Sequence, residues 1–448
     1  MTSKSSRIAF INATVLPFDA GWRVLEDCDV VVAEGRIVAL GRSAASRRAV
    51  DRRIDATHLV ITPGFVNAHT HSPENLARGL ADGQGLHDWL GTVWRSLDRL
   101  DADSIRLAVQ LGCIEMIRSG AVAVVDHFRQ YPPRLEAVDA AAAAYRDAGF
   151  KALVAIWLRD GIGPRNRANS AERQLDVCGE AARRWHQPEA GLRIGIGPSG
   201  PTRCSDELLS GGGALARVMG LPFHIHVDET KDEADEAKRR YGSTAVRHLR
   251  DLDLVWPGLS IAHGTWLTDG DIRTLARGGA GIVHNPVSNM RLGSGIARLG
   301  AMRDAGVTVA LGADGAASND SQNMLEAAKA AAFLQRLAVK DRRQWPSTLD
   351  ALSMLTHAPA RMFGLTAGTL SPGVPADLVA FDRRSVALAP GNDLHRQLVL
   401  CHTGLTVRYS MIAGRLVMDD SRLTTIDEVA VLGEAARRRT KGRHARRH

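Results

Sequence analysis

From residue 64 to residue 339 the chain alternates between short apolar runs and amphipathic stretches, and this alternation restricts the fold more than any other feature. The apolar runs read as strands at 64–68, 121–127, 151–158, 192–198, 222–227, 259–263, 281–284 and 308–312. Helical stretches separate them. Asp101 or Asp103 is placed to cap one that runs to Ser119, because a carboxylate before the first turn accepts from its free N–H groups. Another covers 132–148 and stops at Gly149, and a third, at 205–219, is weakened by three glycines. Strands that are apolar throughout are covered on both faces, which is the condition of a parallel sheet. Eight strand–helix units with short links argue α/β architecture closed into a (β/α)8 TIM-type barrel. Short strands also occur before the barrel, around a turn at Glu34-Gly35, and after it, at 377–382, 407–412 and 415–418. Neither set is large enough for its own core. Residues 1–61 and 366–425 are therefore expected to join as a small composite β-sandwich beside a barrel spanning 62–365.

Composition excludes several classes. An apolar fraction of 45% is ordinary for a globular protein. No run approaches the ~18 apolar residues of a membrane helix, and the first residues carry no signal-peptide core. The five cysteines are widely spaced, with no C-x-x-C pair, which points to reduced thiols in a cytoplasmic protein. Seven Lys/Arg and one Glu between 434 and 448 supply +6 of the formal +8 charge. That run has no apolar periodicity, so it reads as a disordered, solvated tail rather than a nucleic-acid contact.

In barrels of this kind chemistry sits at the C-terminal ends of the strands. Ionisable groups recur there: His69 and His71 after the first strand, His224, His226 and Glu229 at the fifth, His263 at the sixth, His284 at the seventh and Asp314 after the eighth. Two histidines one residue apart on a strand point to the same side and can converge on one ion. His224 faces the same way as His226 but one layer deeper, where a structural role is as reasonable as a role in the site. Cys204 reads as a small buried residue.

These residues stand in PGFVNAHTH, FHIHVDET, SIAHGTWL, HNPVSNMRLGSGIA and LGADGAASN, and the chain resembles the amidohydrolase superfamily in its cytosine deaminase and chlorohydrolase-like branch. EMIRSG, THAPARMFGL and GTLSPGVPADLVAFD fit as well, so that the resemblance covers nearly the whole chain. It implies that His69, His71, His226 and Asp314 hold a metal, that Glu229 is the general acid/base and that His263 is a catalytic imidazole. It also implies a homo-oligomer. Two-metal members need a bridging lysine from the fourth strand, and there is no lysine between 152 and 230, so one ion per chain is expected. Three imidazoles and a carboxylate favour Zn2+, with Fe2+ second.

The resemblance implies a metal-dependent hydrolytic deaminase. Water activated by the ion attacks an amine-bearing ring carbon of a purine, pyrimidine, pterin or s-triazine, and ammonia leaves. Asp314 takes a proton from the water, and Glu229 protonates a ring nitrogen. Alternatives on the same site are an adenosine-type nucleoside or S-adenosylhomocysteine deaminase, and a dechlorinase or alkylamine-releasing triazine hydrolase. Thioether-nucleoside deaminases usually read Pro-His-Ser-Pro after the fourth strand, where this chain has Pro198, Ser199, Gly200 and Pro201. Their ribose-gripping carboxylate falls near Asp98. Both differences lean towards a free base. Trp89 and Trp94 are candidates for a stacking wall, and Ser199, Asp98 and His284 for further substrate contacts.

Overall fold

A computed structural model describes residues 7–98, 100–161 and 169–444, with side chains as far as Arg438. Residues 1–6 of the expected sandwich and 445–448 of the expected tail lie outside the described residues. The eight expected strands form one parallel sheet in sequence order: Phe65–Thr70, Ala121–Phe128, Lys151–Leu158, Leu192–Pro198, Phe223–Val227, Leu259–His263, Gly281–His284 and Val309–Leu311. The last strand returns to the first. Asp314 N donates to His69 O at 2.9 Å and Ala313 N to Asn67 Oδ1 at 2.9 Å, which nearly closes a barrel.

The strands are apolar on both faces because both are buried. Val66, Ala68, Ala123, Val125, Leu153 and Ala155 pack inside the barrel with Phe363. Val122, Val124, Ala152, Val154 and Ile194 belong to the larger core beneath the helices. Asp101 is the residue that caps the helix Ala102–Arg118, accepting from Ser104 N at 2.8 Å. The three glycines expected to weaken a helix lie within Asp206–Met219 and serve its packing. A Cβ at Gly213 would sit 2.2 Å from Leu254 Cδ2, so glycine lets this helix close on its neighbour.

The chain ends build a second sheet of nine strands, including Ile8–Val15, Leu25–Ala33 and Leu59–Pro63 from the front and Leu378–Asp382, Val407–Ile412 and Arg415–Asp419 from the back. Leu59–Pro63 and Leu378–Asp382 pair antiparallel and join the two halves. Their common core includes Phe10, Val32, Ile61, Leu378 and Met411.

The expected disordered tail differs. Residues Glu428–His444 form a helix. Val431 is buried, Ala435 packs beside it four residues on, and together they make the apolar stripe that the charged run conceals. Glu428 pairs with Arg118, and Arg438 bonds Ser104 and lies 3.6 Å from Asp101, docking the segment on the helix Ala102–Arg118. Among the described residues no helix is long and apolar enough to cross a membrane.

Candidate active site

The barrel mouth gathers six ring or carboxylate groups from five strand ends. Ligand-capable atoms of His69, His71 and Asp314, of His69, His226 and His263, and of His71, His127 and His226 each fall within 4.8 Å of one another. The four expected ligands thus fall into overlapping triads, with Asp314 and His226 each grouped with His69 and His71, and His263 beside them. His127 also belongs to the cluster and escaped the sequence reading. It ends an apolar run without any motif, and its one signal was a polar residue at the C-terminal end of the second barrel strand.

The protein fixes which nitrogen each imidazole presents. His71 Nδ1 donates to His127 O at 2.7 Å and His226 Nδ1 donates to Ser199 O at 3.0 Å, which leaves both Nε2 lone pairs facing the cluster. His69 Nδ1 lies 2.7 Å from His224 Nε2, and His224 Nδ1 lies 2.8 Å from Ser260 Oγ. His224 therefore sits behind His69 and orients it. His69 Nε2 is buried without a hydrogen-bond partner and lies 3.4 Å from Asp314 Oδ1, as does His71 Nε2. Burial lowers the pKa of His69 to about 3 and holds His71 and His226 below their ordinary value, so all three are neutral donors. Burial alone would raise Asp314, but the close approach of His69 and the nearby His263 hold it well below the carboxylate range. Neutral imidazoles, an anionic carboxylate and an orphaned buried Nε2 fit a divalent ion of the Zn2+ or Fe2+ kind.

His263 and Asp314 adopt positive φ, 69° and 66°. Side-chain-bearing residues rarely take this conformation, and it costs of order 1 kcal/mol or more, a strain typical of groups held for function. Asp314 Oδ2 accepts from Ser288 Oγ at 2.6 Å, and His263 Nδ1 lies 2.8 Å from Asn289 Oδ1. His263 Nε2 is 3.6 Å from Glu229 Oε2 and 3.8 Å from Asp314 Oδ2. Burial raises Glu229 to about 7, and Ser294 Oγ donates to its Oε1 at 3.2 Å. Burial lowers His263, but Glu229 and Asp314 outweigh it, and the net shift is upward.

A pocket with roughly 450 Å3 of empty space opens above these groups. Trp89, Trp94 and Ser199 line it, as does Glu229. Asp98 and His284 do not. Asp98 is half-exposed and pairs with Arg129 at 2.8 Å, and His284 is buried with neither ring nitrogen bonded. Arg129, Glu74, Trp157 and Arg203 line the pocket and were not singled out by the sequence. Arg203 pairs with Glu233 and donates to Ser199 Oγ at 2.9 Å, which holds the carbonyl that orients His226. Glu74 Oε2 is buried and unpartnered, and a Cβ on Gly315 would fall 1.8 Å from it, so only glycine fits beside Asp314.

A barrel carrying such a cluster at its strand ends defines a metal-dependent hydrolase. Residues 60–417 match the amidohydrolase family, and the chain belongs to it. It is 34% identical to the 5'-deoxyadenosine deaminase of Methanosarcina mazei over 426 residues, 95% of each chain. Its structure resembles that of an adenosine deaminase from Xanthomonas campestris with bound zinc, with a TM-score of 0.90, 29% identity and 98% of each chain covered. It also resembles the atrazine chlorohydrolase from Arthrobacter aurescens complexed with zinc, with a TM-score of 0.89 and 25% identity, covering 96% of this chain and 99% of that one. The protein is an enzyme, a hydrolytic deaminase acting on C–N bonds.

Proposed function

We propose that the enzyme is a zinc-dependent aminohydrolase of a small aminated heterocycle, with one ion per chain held by His69, His71, His226 and Asp314. The observation that carries this reading is the convergence of Glu229 and Asp314 on His263 beside the cluster, 3.6 and 3.8 Å from its Nε2. When bound, the ion supplies a Lewis acid that makes water acidic near neutral pH. Asp314, anionic and steadied by Ser288, takes a proton from the attacking water. Glu229, whose carboxyl burial pushes up to about 7, gives its proton to a ring nitrogen and makes the adjacent carbon more electrophilic. His263 steadies the charge that develops on oxygen. The carbon–amine bond breaks. One water proton leaves on ammonia, the other stays on the ring as a lactam N–H, and Glu229 and Asp314 end as they began.

The substrate reading favours a free heterocycle over an adenosine-type nucleoside. Asp98, the nearest counterpart of a ribose-gripping carboxylate, is already engaged by Arg129. The likeness to an atrazine chlorohydrolase keeps chloride or an alkylamine as a second leaving group. The reading that it is a cytosolic homo-oligomer rests on the family resemblance and on cysteines that are free throughout. Zn2+-loaded protein is to be screened for ammonia, alkylamine and chloride release over aminated bases, nucleosides and s-triazines. Ammonia from a free base supports the reading. A nucleoside turned over with kcat/KM about 100-fold above every base overturns the substrate class, and no ammonia from any member overturns the reaction.

A further inference from the structure

Arg129 follows His127 by two residues and lines the pocket beside the histidine cluster. Its side chain is 2% exposed, yet only Nη2 has a partner, Asp98 at 2.8 Å, and that carboxylate is 45% exposed. Nε and Nη1 are buried and donate to nothing. A buried guanidinium short of acceptors is costly to the free enzyme unless something later fills the gap. The aromatic walls explain how it stays there. Its Cζ lies 4.6 Å from the Trp94 ring centre and 5.4 Å from that of Trp157, so stacking holds the plane and leaves N–H groups uncommitted.

A second guanidinium shares the same box. Arg159 is half-buried, with its Cζ 5.0 Å from Trp94, 5.3 Å from Trp157 and 4.4 Å from Tyr131, and its Nε is also unpartnered. Two guanidiniums thus share the faces of Trp94 and Trp157, and Asp98 pairs with Arg129. The acids that line the pocket itself, Glu74, Glu229 and Asp314, stand with the histidines of the cluster, and none of them bonds Arg129.

We propose that the substrate carries a carboxylate, which Arg129 grips through the N–H groups that Asp98 leaves free, between Trp94 and Trp157 and under the field of Arg159. The enzyme then deaminates an acidic heterocycle in preference to a neutral one. This rests on the deaminase reading of the same pocket. The carboxylate stands either directly on the ring or at the end of a side arm, and the two cases are separable.

The test compares matched pairs: pterin-6-carboxylate against pterin, for an acid on the ring, and S-adenosylhomocysteine against 5'-methylthioadenosine, for an acid on an arm. Wild-type Zn2+-loaded enzyme is expected to favour the acidic member of one pair by at least about tenfold in kcat/KM, since a charge-assisted hydrogen bond is worth that much or more. Arg129→Gln should cut that ratio about 30-fold, and Arg129→Lys, which keeps the charge, should restore part of it. Zinc content and melting temperature are measured on each variant. If Arg129→Gln fails to fold, Arg159→Gln carries the test with a fall of about threefold. Binding of the same pairs is read by titration calorimetry, so a protein that binds the acids selectively but releases no ammonia refutes the reaction and retains the anion site. An unchanged acid-to-neutral ratio in Arg129→Gln, whatever happens to absolute rates, overturns the proposal, as does a wild type that prefers neither acid.

Discussion

Glu229→Gln separates a proton carrier from a metal ligand. Glutamine has nearly the same volume, and its amide oxygen still accepts from Ser294 Oγ, now at 3.2 Å from the carboxylate. What it lacks is a transferable proton. Loss of a positioned acid costs typically 10²–10⁴, so a fall of about 10³ in kcat, or about 4 kcal/mol in the barrier, is expected with zinc content unchanged. The pH profile adds a second reading. With the carboxyl at about 7, half of the enzyme carries the proton at neutrality. At pH 9 about one molecule in 100 does, so wild-type kcat/KM should fall by about tenfold per unit above pH 7. The residual activity of Glu229→Gln should lack that alkaline limb. The assay is ammonia release from pH 5 to 10 beside elemental analysis of both proteins. A variant within about threefold of wild type, or one that keeps the alkaline limb, refutes the assignment.

Elemental analysis should find about one zinc or iron per chain, and His226→Ala should lose it, whereas two tightly bound ions in active enzyme would contradict a site without a bridging lysine. Deleting residues 434–448 should leave kcat and KM nearly unchanged but lower the melting temperature by a degree or two, because Arg438 docks on Ser104 and Asp101, neither of which lines the pocket; a large activity loss would show that the segment reaches a site. Burial raises Asp126 from 3.8 to about 6, so the stability tied to its neutral form is full below pH 3.8 and lost as pH rises through 6, on the order of 3 kcal/mol. Asp126→Asn, whose amide oxygen still accepts from Ser72 N, should therefore gain on wild type between pH 4 and pH 8 in denaturant titrations, and an equal difference at both would sink the account.

The barrel was legible because parallel strands covered on both faces leave unbroken apolar runs, and glycines such as Gly149 mark where the helices stop. The clustered residues were legible because strand ends are fixed points in such a barrel, so that His226 and Asp314 can be placed at one mouth although 88 positions separate them. Arg129, Glu74 and Arg203 were not legible. Arg129 meets Trp94 and Trp157, and Arg203 meets Glu233, only in the tertiary structure. No spacing rule links such groups. The helix at the C-terminus was hidden for another reason, since Val431 and Ala435 form too short a stripe to register against so many arginines.

The seam between the two chain ends bears on how the enzyme is made. Leu59–Pro63 runs straight into the strand carrying His69 and His71, and its hydrogen-bonding partner is Leu378–Asp382. Gly64 N, at the hinge between them, donates to Asp377 O at 3.1 Å. A ribosome must therefore deliver more than three quarters of the polypeptide before the first histidines gain their lasting support, and Asp314 emerges long after them. Nascent chains hold an incomplete set of donors for most of their synthesis. Loading with a divalent ion is consequently an event of the finished polypeptide, and a cell short of that ion would accumulate complete but empty molecules rather than arrested fragments.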